Sequence, residues 1–303
     1  MPSSLKPGFS DYALLVALAA IYGFSFLATK VAVQEIPAVT VTFARLAGAA
    51  VLLLPLLYFT RDSIAELLPH WKLLMLVALF GNAFPFWFIA WGQEQVDAGL
   101  TAILMAIMPL ITLVLAHFFT QEEKLNRYKV IGFLLGLIGV MYLIGFNKLA
   151  SLGSETVRQY AIMAGATCYA IHAILFKRLT NLPRKPIVVV VLTLSALVLL
   201  PVVLFVDQPW ELDPSADGLA ALLFLAAIPT ALGTIMLFAI IGRQGASFLS
   251  QINFLVPVFG VLWAVLLINE VLPPNAFVAL ALILAGIAIA RINSTKIQME
   301  QKS

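Results

Sequence analysis

Charge is scarce in this 303-residue chain: 18 Lys and Arg and 15 Asp and Glu make up 11% of it. Soluble domains carry about 25%. With 62% hydrophobic residues and a mean hydropathy of +1.02, there is too little polar surface for an ordinary cytosolic enzyme. Disorder is excluded as well, since it needs low hydrophobicity. Cysteine is nearly absent. The single Cys168 excludes a disulfide framework and a cysteine-rich metal site. No nucleotide-binding Gly-x-x-x-x-Gly-Lys-Ser/Thr run and no His-Glu-x-x-His run occurs, so neither ATP hydrolysis nor a zinc protease site is expected. A net charge of +3 is too small for a nucleic-acid surface, and membrane topology explains the basic residues better.

What remains is apolar and long. The neutral stretches between charges are 12–29, 73–93, 98–121, 130–147, 159–176, 186–206, 218–242, 244–269 and 271–290, and 36–60 contains one charge, Arg45. A membrane-spanning helix needs about 20 apolar residues. The reading is an all-α integral membrane protein of ten transmembrane helices. Its connections are too short for a soluble domain, and the first window is expected to be retained rather than removed as a signal peptide. With an even number of spans both termini share a side. If that side is the cytoplasm, 14 of the 18 basic residues lie inside, while the outer segment 207–217 carries only acids. The positive-inside rule then places both termini in the cytoplasm and the chain in the cell (inner) membrane.

The windows repeat. A shift of 147 lays Tyr22 on Tyr169, Ser25 on His172 and Lys30 on Lys177; a shift of 148 lays Asn82 on Thr230, Ala98 on Ala246, Pro109 on Pro257 and Glu122 on Glu270. Five spans per half is odd, so the halves enter the membrane in opposite directions. Two inverted five-helix repeats, 11–147 and 157–292, flanked by cytoplasmic tails 1–10 and 293–303, are the expected domains, an architecture of many secondary transporters. The rival is that apolar helices resemble one another.

Residues 21–30 (IYGFSFLATK) resemble the opening motif of EamA-type proteins of the drug/metabolite transporter superfamily, with Tyr22 where that motif usually has Trp. Pro37 and Arg45 resemble the start of its second helix. Ala98, Gly99, Pro109, Glu122 and Gly139, and then Ala246, Pro257, Glu270 and Gly286, resemble its later pattern twice over. The resemblance covers roughly residues 11–291. It implies a ten-helix carrier, usually an exporter of amino acids or other small metabolites, with the first, third, fourth, sixth, eighth and ninth helices lining a central cavity.

Polar side chains inside spanning helices usually face protein or water. On helical faces toward that cavity the expected substrate-binding residues are Tyr22, Ser25, Asn82, Tyr169, His172, Thr230, Thr234, Ser250 and Gln251. Ser and Thr have a plainer alternative, a bond to the carbonyl four residues back. Asn82 and Gln251 have interhelical bonding as the rival, and His172 a packed neutral histidine. His117, Trp71, Trp87 and Trp91 are read as interfacial or lipid-facing. Arg45 is read as structural rather than substrate-binding, either snorkelling outward or pairing with a helix C-terminus or an outer-loop acid and so ordering the bundle. Glu122 and Glu270 are read as caps or latches.

The expected cavity is polar, aromatic and almost uncharged. It suits a neutral or zwitterionic solute such as an amino acid, aromatic ones included, moved by alternating access. No Asp or Glu lies in mid-window, so flux down the substrate's own gradient is expected, with His172 the one group that titrates near neutrality. No cofactor, metal or nucleic acid is expected. The partners are a small-molecule substrate and the lipid bilayer, and nothing demands more than a monomer. The alternatives are a carrier of a sugar, nucleotide conjugate or cationic drug, or a lipid-handling enzyme or scaffold.

Overall fold

The computed structural model describes residues 7–58, 64–120, 125–145, 154–179 and 181–300. Among these every regular element is helical. The α-helices are α1 (Phe9–Ala32), α2 (Ala38–Tyr58), α3 (Trp71–Ala78), α4 (Phe84–Gln93), α5 (Ala98–Met105), α6 (Met108–Phe119), α7 (Arg127–Ile144), α8 (Ser154–Phe176), α9 (Arg184–Val202), α10 (Ala216–Leu225), α11 (Gly233–Leu249), α12 (Ile252–Ile268) and α13 (Pro274–Glu300). Eight continuous helical stretches are long and apolar enough to cross a membrane, and the apolar helices 252–268 and 274–290 are shorter. The eighth stretch, 216–249, joins two helices across a kink at Gly245. That residue has φ 81° and ψ 173°, a conformation only glycine adopts cheaply. The chain therefore turns at Gly245, at the start of the ninth apolar window.

Proline divides several windows. Pro109 has no N–H to offer a carbonyl four residues back, and the fourth window splits at Ala106–Ile107 into α5 and α6. Two π-helical turns do the same for the third and eighth windows: Leu79–Ala83, just ahead of Pro85, and Ala226–Leu232, which contains Pro229. These turns carry Asn82 and Thr230. π turns inside α-helices occur often at functional sites, where they re-aim side chains.

The bundle is assembled by interhelical packing. α1 packs on α12, α10 and α11; α8 packs on α6, α5 and α4; α2 packs on α9; α5 packs on α12; and α7 packs on α13. Exchanging the first five windows with the last five leaves this set of partnerships unchanged. In a membrane, close approach is driven by packing through small residues. The α7–α13 seam shows it. Gly132 lies against Gly286 and Ala290, and Gly139 against Ala279 and Ile283, with no room for a Cβ on Gly132 or Gly286 and only tight room on Gly139. Gly23 of α1 meets Phe259 and Gly260 of α12 in the same manner. Tyr12 packs edge-on to Phe248 and Gly23 against Gly260, so α1 and the ninth window run parallel. Gly81 meets His172 while Gly92 meets Ile162, so the third window and α8 run antiparallel.

Candidate functional site

The centre of the bundle is organised by Arg45. Its guanidinium stacks on the ring of Phe86 at 3.9 Å, and its Nε–H donates to Thr230 Oγ1 at 2.8 Å. The phenols of Tyr22 and Tyr169 both lie within its electrostatic field. Phe86 and Tyr169 meet edge to face with centroids 6.1 Å apart, and the Tyr22 ring lies against Gly233. Arg45 thus gathers α1, α2, α4, α8 and the Ala226–Leu232 turn, drawing on both halves of the chain. It orders the bundle, as one sequence reading had it, but from within, on an aromatic ring and a hydroxyl, rather than through a helix C-terminus or an outer-loop acid or by snorkelling outward. Nothing in its own window marks this; the signal would have been its long-range partner Thr230, 185 positions away.

The other expected site residues divide by what their polar atoms do. Ser25, Thr234 and Ser250 donate to the carbonyls of Tyr22, Thr230 and Ser247 at 2.7, 2.6 and 2.7 Å. These are bonds to the helix's own backbone. Thr230 donates to Leu225 O at 2.7 Å, which the π turn permits, and so turns its oxygen toward Arg45. By contrast, the side chains of Tyr22, Asn82, Tyr169, His172 and Gln251 make no hydrogen bond to a described residue, and all five are partly open rather than buried. Polar groups deep in a bundle are normally paired. These five are neither paired with a described residue nor fully buried.

Their placement differs. Tyr22, Phe86, Tyr169, Thr230 and Arg45 form one cluster. His172 is one turn from Tyr169 on α8, packed on Gly81 beside Asn82 and tilted against Phe176 at 5.5 Å. Ser250 and Gln251 sit at the break between α11 and α12. From the parallel register of α1 with the ninth window, that level is roughly two helical turns nearer the N-terminus of α1 than Tyr22. A separate crevice of about 420 Å³, lined by Ile36, Thr40, Phe43, Ala44 and Val203 among others, opens beside α2 and contains none of these polar groups.

The far ends of the same helices are tied together. Lys30 Nζ donates to the carbonyls of Gln93 (2.9 Å) and Val96 (3.2 Å) and sits 3.7 Å from Asp97. Gln93, fully buried, donates to Phe26 O at 2.9 Å. Arg158 pairs with Glu94 and Trp91 O at 2.6 Å and stacks on Trp91 at 3.9 Å. Glu270 accepts from Gly99 N with both oxygens at 3.1 Å, capping α5 from the end of α12. Burial raises its carboxyl above the ordinary range, although backbone N–H groups oppose the shift. Its counterpart Glu122 lies outside the described residues. At the opposite end, Asp11 is met by Gln244 at 2.7 Å and by Arg243 at 3.9 Å. Among the described residues no cluster of His, Cys, Asp and Glu suited to a metal is present.

Membrane-length apolar helices around a partly open polar centre define a multi-pass membrane protein. Comparison with known proteins carries this further. The model of the EamA-like transporter family matches residues 10–145 and again 159–292. The chain belongs to that family, and it is a membrane transporter. An uncharacterized transporter of Bacillus subtilis, YoaV, is 26% identical over 278 residues, covering 90% of this chain and 94% of that one. A probable amino-acid metabolite efflux pump of Salmonella typhimurium is 29% identical over 307 residues, covering 94% of this chain and 95% of that one. The Escherichia coli protein described in the same words is 27% identical, covering 92% and 94%. A solved crystal structure at 20% identity superposes with a TM-score of 0.66 over 93% of this chain and 97% of that one, which is a likeness of fold.

Proposed function

We propose that this protein is a secondary exporter of small zwitterionic metabolites, amino acids foremost, working by alternating access in the inner membrane with both termini cytoplasmic. The observation that carries the reading is the set of unpaired, partly open polar side chains at the centre of the bundle, supplied by both halves of the chain. A packed structural core would have satisfied them. The efflux-pump names of two relatives favour export of amino-acid metabolites over sugars or nucleotide conjugates.

The two halves are read as inverted five-helix repeats, 11–147 and 157–292. The exchange-symmetric packing and the twofold family match support this. In such folds related half-bundles rock about a midplane site. The prolines and π turns of the third, fourth, eighth and ninth windows lie where bending is least costly. With no carboxylate facing the central cluster among the described residues, flux follows the substrate's own gradient and proton coupling is weak or absent.

The test is uptake and efflux of a panel of labelled amino acids in proteoliposomes, with and without an imposed pH gradient. Saturable flux is expected for at least one, and it should fall in Asn82→Ala and Tyr169→Phe while both variants still insert. Normal flux in both would remove the proposed cavity. Accumulation driven by protons alone would overturn the uncoupled cycle, and its loss in His172→Ala would name the proton carrier.

A further inference from the structure

Arg45 is a cation that the fold has oriented and left without a counter-ion. Arginine is always charged and presents five N–H donors in a planar fork. Here the Nε–H is held by Thr230 and one face of the plane is covered by Phe86. The four N–H groups of the two terminal nitrogens have no acceptor among the described residues. Among the described residues no carboxylate pairs with Arg45, and six are engaged elsewhere: Asp11 with Arg243 and Gln244, Glu35 with Ser215, Glu94 with Arg158, Asp97 with Lys30, Asp207 with Thr40 and Glu270 with Gly99. A single buried charge with no partner is costly. This one is tolerated in a partly open site, where water or an anion can complete it.

Three features define the anion. A guanidinium pinned through Nε and stacked on a ring exposes its two terminal nitrogens as a pair, which matches the two oxygens of a carboxylate. Among the described residues no second Lys or Arg joins the cluster, since Lys30 is bound to Gln93 O, Val96 O and Asp97; a phosphate dianion would be half-neutralised. No acid among the described residues joins the cluster to hold an ammonium, while Tyr22, Phe86 and Tyr169 provide aromatic surface. Resting on the transport reading above, we propose that Arg45 is the carboxylate anchor of the central cavity and that the cargo is a monocarboxylate with an aromatic or large apolar body, whose amino group is not required.

Four matched probes separate the groups: phenylalanine, 3-phenylpropionate, phenylalaninamide and phenethylamine. Binding to the purified full-length protein in detergent is measured by calorimetry, and competition against labelled phenylalanine uptake in proteoliposomes. The two acids are expected to bind comparably. The amide and the amine should bind at least about tenfold more weakly, as loss of a charge-assisted bidentate pair implies. Arg45→Gln is expected to abolish the preference for acid over amide. Arg45→Lys, which keeps the charge but loses the fork, should reduce it, and this variant keeps the test informative if the glutamine variant fails to fold. Amide or amine binding as tight as the acids, or an undiminished acid preference in both variants, overturns the anchor and leaves the transport reading standing. Failure of all four probes overturns this cargo class. Failure of the broader amino-acid panel as well removes the transport reading itself.

Discussion

A single hydroxyl sets the orientation of the central cation. Thr230 can donate to Leu225 O, five residues back, only because the backbone there is π-helical, and this leaves its oxygen free to accept from Arg45. Thr230→Val keeps shape and helicity while deleting that acceptor. The expected result is a rise in KM for carboxylate substrates of roughly fivefold, as for loss of a net hydrogen bond near 1 kcal/mol, with maximal flux less affected. An unchanged KM would show that Phe86 alone orients Arg45. Glu270 makes a second residue-scale statement. A carboxyl held above its ordinary value in the folded protein binds its proton more tightly there than in the unfolded chain. Stability linked to it is therefore present at low pH and falls as pH rises from the ordinary carboxyl value through the raised one. Thermal unfolding in detergent across that window should show the decline in the native protein and a flatter profile in Glu270→Gln. An identical slope in both would assign it to other groups.

At the scale of elements, packing depends on what is missing from the helices. The α7–α13 seam closes because Gly132, Gly139 and Gly286 have no Cβ. Gly286→Leu would place a side chain against the Gly132 carbonyl and the Gly136 nitrogen. Overpacking of this kind costs about 1–3 kcal/mol. Thermal stability of the purified variant should fall accordingly, while the central cluster on α1, α2, α4 and α8 is not touched directly. The substrate affinity of the surviving folded fraction should therefore stay near that of the native protein. A large loss of affinity at unchanged stability would mean that the seam is part of the transport path. The π turns behave differently. They trade regular hydrogen bonding for position, placing Asn82 and Thr230 in corresponding parts of the two halves.

For the molecule as a whole, topology is the property on which the transport cycle depends. In a Cys168→Ala background, a thiol at Ser215 should react with a membrane-impermeant reagent applied to intact cells, and a thiol at Ser294 should react only after permeabilisation. The reverse pattern would place the termini outside and invert the direction assigned to export. Lys30, Arg158 and Glu270 close one end of the helices, whereas the opposite end has the Asp11–Gln244–Arg243 contacts. The alternating access proposed above would break these two sets in turn.

The membrane class and the positions of the apolar windows were legible in the sequence by itself. Both rest on a local quantity, hydropathy over about 20 residues; the repeat proposed for the two halves rests on a fixed offset between them. Candidate residues were legible only as faces. Tyr22, Asn82, Tyr169, His172 and Gln251 were chosen because helical periodicity put them on one side, and a linear sequence cannot say which hydroxyl or amide will find a partner. Tertiary structure decided that. Ser25, Thr234 and Ser250 turned to their own backbones, while the amides, phenols and imidazole were left open. It also decided the place of Arg45. One charge in an apolar window reads as a snorkelling residue when its neighbours in sequence are the only context. Its actual partners, Phe86 and Thr230, come from distant windows that only helix packing brings together. A charge in a low-dielectric bundle is governed by its neighbours in space, and those are set by which helices pack and where proline bends them.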